Sequence, residues 1–184
     1  MRLSEPRIEP LDADQWSDEA ARAMAPIVAA GPPLNIFKTL SHHPGLMRRW
    51  MVFANHVLAK STLPAREREL VILRIGYLCQ AGYEWGQHVV IARTAGVTDD
   101  EIRRIQTGPD DPAWSELDRA LLAATDELHA DSFVGDDTWA VLTAHLSTEQ
   151  VMDVVFAVGQ YNLVSMALNS FGVQPERGLP GWDV

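Results

Sequence analysis

Cysteine is the scarcest functional resource in this sequence: Cys79 is the only one. A single thiol excludes an internal disulfide, a paired-thiol redox centre and a zinc site built from several thiolates. Positive charge is also in short supply, with 15 Lys and Arg against 25 Asp and Glu and a net charge of -10. Nucleic-acid and anionic-membrane partners need the opposite balance. The N-terminal stretch has no apolar core of the kind a secretory signal needs, and no apolar run approaches the ~18 residues of a membrane span. The expectation is a protein of the cytoplasm. Glycine-rich phosphate loops and the G-x-S-x-G elbow of serine hydrolases are missing too.

What is present is apolar residue content at helical spacing. Nearly half of the 184 residues are apolar, enough for one domain with its own core. Residues 1–16 read as an extended arm broken by Pro6 and Pro10, and 173–184 as an extended tail. Between them, helices are expected over 18–29, in a short piece from 35 that ends before a turn at 44–45, over 45–59, 64–78 and 83–95, in a short piece opening at 98, and over 114–131, 135–145 and 147–169. Ser17 serves as an N-cap, and Thr98 with Glu101 and Ser147 with Gln150 as capping boxes. Pro64 suits a first helical turn and Gly96 a C-terminal cap. No segment reads as a strand. The fold class is all-α, a compact bundle of roughly seven or eight helices in a single domain spanning 1–184.

Inside that apolar pattern lies Tyr83-Glu84-Trp85-Gly86-Gln87-His88. Glu84 and His88 are four apart and share a helix face. A carboxylate beside an imidazole orients the ring and favours its charged form, an arrangement suited to proton transfer, although many such pairs are surface contacts. Glu69, on the preceding helix, comes near them if the two helices pack antiparallel; Gly76 permits a close approach. On spacing alone the favoured reading is that Glu69 only pairs with Arg66 or an adjacent Arg. Tyr161 and Asn162 interrupt a late apolar helix and need polar partners. The histidines at 42, 43, 56, 129 and 145 form no spacing that suits a metal, so no metal site is expected.

The run from Arg66 to Ile102 resembles the carboxymuconolactone decarboxylase and alkylhydroperoxidase superfamily. Its peroxidase members carry Glu, eleven residues, Cys-x-x-Cys, three residues, His; here Glu69 and His88 match the flanks, while Ala81 and Glu84 stand in the two cysteine positions. The resemblance implies a helical protomer that assembles into trimers or hexamers. The decarboxylase branch implies chemistry without metal or organic cofactor. On that implication His88, Glu84 and Glu69 are the catalytic candidates, His88 titrating near neutrality. Tyr83, Trp85, Arg66, Arg74 and Tyr161 are then the candidates for contacting a small carboxylated or conjugated cyclic substrate. Two other readings stay open: peroxide reduction by Cys79 with an external thiol, and a non-catalytic small-molecule-binding oligomer.

Overall fold

The computed structural model describes residues 2–184. Among them there are nine α-helices, one in each stretch expected to be helical though one more than the rough count of seven or eight, and no strand. They are α1 (Asp18–Ala30), α2 (Asn35–Leu40), α3 (Pro44–Asn55), α4 (Ala65–Leu78), α5 (Gly82–Thr94), α6 (Asp99–Thr107), α7 (Glu116–Asp131), α8 (Asp136–His145) and α9 (Thr148–Phe171). Each capping expectation has a physical counterpart. Ser17 accepts from the backbone N–H of Ala20, and the two capping boxes at Thr98/Glu101 and Ser147/Gln150 form reciprocally. Two boundaries differ from expectation. Pro64 sits just outside α4 as its cap, and the stretch expected as one helix over 45–59 loosens into a π-helical turn over His56–Lys60.

The centre of the molecule is α4, which packs against α5, α6, α7 and α9. Its residues Glu69 through Gly76 are all buried, which explains an apolar run with no polar face of its own. On one side Val71, Ile72 and Ile75 join α7, α8 and α9 in the largest apolar cluster. On the other, Leu70 and Leu73 pack with Trp85, Val89 and Ala92 of α5 and with Ile102 and Ile105 of α6. Sharing a core on both sides fixes α4 and α5 rigidly relative to each other.

The chain reverses between them in three residues, Cys79 to Ala81, with Gln80 in the left-handed region at φ 52°. Gly76 then faces α5: a Cβ there would lie 3.7 Å from Glu84 Cγ. The tail 173–184 has no helix but is held down. Trp85 Nε1 donates to the carbonyl of Gly181 (2.8 Å), and Gln106 Nε2 donates to that of Trp182 (2.8 Å). Gly86 makes room for this path, since a Cβ at 86 would meet the Pro180 carbonyl oxygen at 3.0 Å.

Helix α9 is long and apolar enough, by length and composition, to cross a membrane, contrary to the expectation that no such run exists; half of its apolar window is buried inside this bundle. Its outer side is apolar as well. Met152, Phe156, Leu163 and Met166 are each more than half exposed, at helical spacings that trace one stripe through Gly159. Phe53 of α3 extends the stripe by an edge-to-face contact with Phe156, ring centres 6.0 Å apart.

Candidate active site

The short reversal after α4 lays α5 back along it, so that Glu69 and His88, nineteen residues apart, come into contact. His88 is pinned from both sides. Its Nδ1 is 2.6 Å from Glu69 Oε2 and its Nε2 is 2.8 Å from Glu84 Oε1. Glu69 has no exposed surface, and its other oxygen accepts from Arg68 Nε at 3.2 Å. The His88 and Tyr161 ring centres lie 4.8 Å apart, with the rings nearly perpendicular at 82°.

Two carboxylates on the two ring nitrogens decide the charge of the imidazole. Burial works against the cation, but Glu84 and Glu69 outweigh it and push the His88 pKa up to about 10. This corrects the expectation of a histidine titrating near neutrality. His88 is an imidazolium at neutral pH, with both N–H groups donated to carboxylates.

A stability profile follows. The folded pKa of about 10 lies above the ordinary value of 6.5, so the folded state binds the proton more tightly than the unfolded chain. The stabilisation is complete below 6.5 and is lost as pH rises through 10. The midpoint of thermal unfolding is expected to fall between those limits in the native protein. It should fall much less in His88→Gln protein, as followed by circular dichroism.

Beside the array is a cavity of about 240 Å³. Glu84 and His88 form part of its wall, with Tyr83, Gln87, Gln160 and Tyr161. Glu69 stands behind His88, outside that wall. Burial raises the Tyr161 phenol far above its ordinary range, and the charges of Glu84 and Glu69 add to the rise, so it is neutral and able to donate. Gln160 is 3% exposed and its Oε1 has no hydrogen-bond partner. Tyr83 is held from the opposite side: its hydroxyl donates to Glu176 Oε1 (3.1 Å), while Gln87 Nε2 donates to Glu176 Oε2 (2.6 Å). Burial first, then the negative Glu176, keep the Tyr83 phenol protonated.

The other sequence candidates lie elsewhere. Arg66 binds Asp118 through Nη1 at 2.8 Å and also pairs with Glu101; its hydrogen bond to Asp118 raises its pKa further. Arg74 binds Asp126 through Nε at 2.6 Å and donates to the carbonyl of Ile105 at 2.8 Å. Trp85 is stacked among Tyr77 and Trp182 under the tail. None of these three lines the cavity, which corrects the expectation that they meet a ligand there. Cys79 is 8% exposed, also outside the cavity wall, with Sγ 3.1 Å from Asn162 Oδ1. Burial pushes its thiol pKa up, which lowers the supply of thiolate. Asn162 thus finds its polar partner away from the array. Glu176, Gln87 and Gln160 were not among the sequence candidates. Gln87 and Gln160 each lie next to a residue that was, and Glu176 had no signal in the sequence.

Residues 44–127, the stretch from α3 into α7 that contains Glu69, Glu84 and His88, match the profile of the Carboxymuconolactone decarboxylase family. Over this segment the chain is similar to that family. The fold agrees with that placement. A protein of unknown function from Agrobacterium tumefaciens is similar at 24% identity, covering 74% of this chain and 94% of its own, with a TM-score of 0.69. An uncharacterised peroxidase-related protein with an alkylhydroperoxidase core, from Ralstonia eutropha, superposes with a TM-score of 0.80 at 19% identity, covering 94% of this chain and 93% of its own. The debrominase Bmp8, solved as a variant bound to 2,3,4-tribromopyrrole, gives 0.75 at 14% identity, with 95% and 94% covered. No curated protein matches the sequence. The segment similar to that family thus lies in an all-α fold like that of the alkylhydroperoxidase-core protein.

Proposed function

We propose that this protein is a cofactor-free lyase or isomerase that moves protons at carbon on a small, neutral, conjugated carbonyl compound. The observation that carries this reading is the Glu69–His88–Glu84 array on the wall of a closed-in cavity. Glu84 lines the cavity with Oε1 2.8 Å from His88 Nε2, which places it to act as base. Glu84 removes a proton from a carbon adjacent to the carbonyl or its vinylogue. The C–H electron pair moves into the carbonyl as an enolate, which a neutral donor such as the Tyr161 hydroxyl or the Gln160 amide receives. Return of the proton from Glu84 at another carbon completes an isomerisation. Expulsion of a leaving group from the enolate completes an elimination.

The charge of the site selects among substrates. No Arg or Lys lines the cavity among the described residues, and its one cationic group, His88, is already engaged by Glu69 and Glu84. A substrate carboxylate would face repulsion without a partner, so the conjugated, uncharged option is favoured over the carboxylated one. Bmp8 holding a small conjugated ring in a similar fold is consistent with this. The test is incorporation of deuterium. A panel of cyclic enones and lactones incubated in D2O is expected to gain carbon-bound deuterium with native protein and with Cys79→Ser protein alike. Exchange that persists in Glu84→Gln protein and disappears in Cys79→Ser protein would reject the acid–base reading in favour of the thiol.

We also infer that copies of this chain associate through the apolar stripe on α9. Solvent-exposed Met152, Phe156, Leu163 and Met166 form a surface of the kind monomers avoid. Light scattering at micromolar concentration is expected to give a multiple of the protomer mass, reduced by Phe156→Glu. A protomer mass for the native protein would contradict it.

A further inference from the structure

A second cavity, of about 260 Å³, lies directly beside the first. Ile36, Trp50 and Val164 belong to both walls, so the two chambers are separated only by side chains they share. Their chemistry differs sharply. The first presents carboxylate, imidazolium, amide and phenol groups, while the second has no charged residue in its lining. Its walls are Leu40, Ala167, Phe171 and similar groups. Thr39 and Trp50 are the lining residues with polar side-chain atoms, and both Thr39 Oγ1 and Trp50 Nε1 are buried behind the apolar surface without a hydrogen-bond partner. Buried polar atoms in this state are costly to leave unpaired. Trp50 Nε1 can only donate, and Trp50 stands in the common wall. Gln160 Oε1 is unpaired in the same way in the first chamber.

We propose that the two chambers form one binding site for an amphipathic molecule. A conjugated carbonyl head occupies the acid–base chamber, and an uncharged aliphatic or aryl arm occupies the apolar one, with Trp50 at the junction. The inference rests on the acid–base reading for the identity of the head, while the arm is assigned by the second chamber alone. It accounts for a site whose one cation, His88, is already taken up by two carboxylates: the binding energy for such a substrate comes from burying its arm rather than from pairing its charge. Leu46 and Leu163, half exposed in the outer wall, leave one side of the apolar chamber toward the α9 stripe. A second copy seated on that stripe would roof the chamber.

The probe is a homologous series of linear methyl ketones with propyl, hexyl and nonyl chains, titrated by calorimetry. These compounds need no turnover to bind. Affinity is expected to rise by about fourfold per added methylene, the value for burying one methylene, until the chamber is full. Ala167→Leu and Ala167→Phe fill the chamber in two steps at a half-buried helical position. They are expected to reduce this gain progressively while the propyl ketone binds as before. A flat series in the native protein would overturn the proposal, and so would a gain undiminished by both substitutions, which would put the arm elsewhere. A flat series with intact deuterium exchange rejects the second chamber and spares the acid–base reading. The length dependence without any exchange does the reverse.

Discussion

Glu84→Gln protein is expected to fold normally and to lose turnover by roughly 10²–10⁴-fold, the usual contribution of a positioned acid or base. Glutamine keeps the length of the side chain, and its oxygen can still accept from His88 Nε2 across the present 2.8 Å contact. What it loses is basicity. The substitution also removes one of the two negative charges that hold His88 as a cation, so the His88 pKa should drop from about 10 toward its ordinary value. Two readouts therefore move together: the rate falls, and the remaining rate acquires a pH dependence set by His88. Loss of rate with an unchanged His88 titration would show that Glu84 does not couple to the imidazole as described.

The largest effect on stability is expected at Glu69. It has no exposed surface, and it holds both His88 and Arg68. Glu69→Ala leaves a buried imidazolium with one partner fewer and an arginine without its carboxylate. Removing one member of a buried pair typically costs about 3–5 kcal/mol, and urea denaturation should show a loss of that order. Replacing the pair by apolar groups behaves differently, because desolvation then disappears along with attraction. Glu69→Leu combined with His88→Leu, in a chain that also carries Glu84→Leu so that no carboxylate is left beside the missing ring, should be more stable than Glu69→Ala, though inactive. A triple variant less stable than the single one would mean that the array makes a net contribution beyond neutralising its own charges.

Local patterns carried much of this site into view from the sequence. The i,i+4 spacing of Glu84 and His88 places them on one face whatever else the helix packs against, and the contact forms. The capping boxes at Thr98 and Ser147 are likewise local and reciprocal. Glu69 was ambiguous by spacing, and the short α4–α5 reversal settles it toward His88, with Arg68 as a second partner. Nearness in sequence misled for Arg66 and Arg74. Each is engaged by an aspartate fifty-two residues away on α7, a pairing that no local pattern announces. Glu176 is hidden for the same reason, since it reaches Tyr83 from a tail with no regular structure. The charge of His88 was beyond the sequence because it depends on both carboxylates contacting the ring while water is excluded. The cavities, built from side chains of several elements, have no linear signature at all.

The central claim is that His88 is a buried imidazolium held between two carboxylates, and nitrogen-15 NMR of the histidine rings tests it most directly. The six histidines are resolved by labelling, and the His88 signals are assigned by their disappearance in His88→Gln protein. The account predicts that both ring nitrogens of His88 remain protonated through neutral pH and lose a proton only as pH climbs toward 10. A His88 ring that is neutral at pH 8, titrating near 6.5 like an exposed histidine, would contradict it.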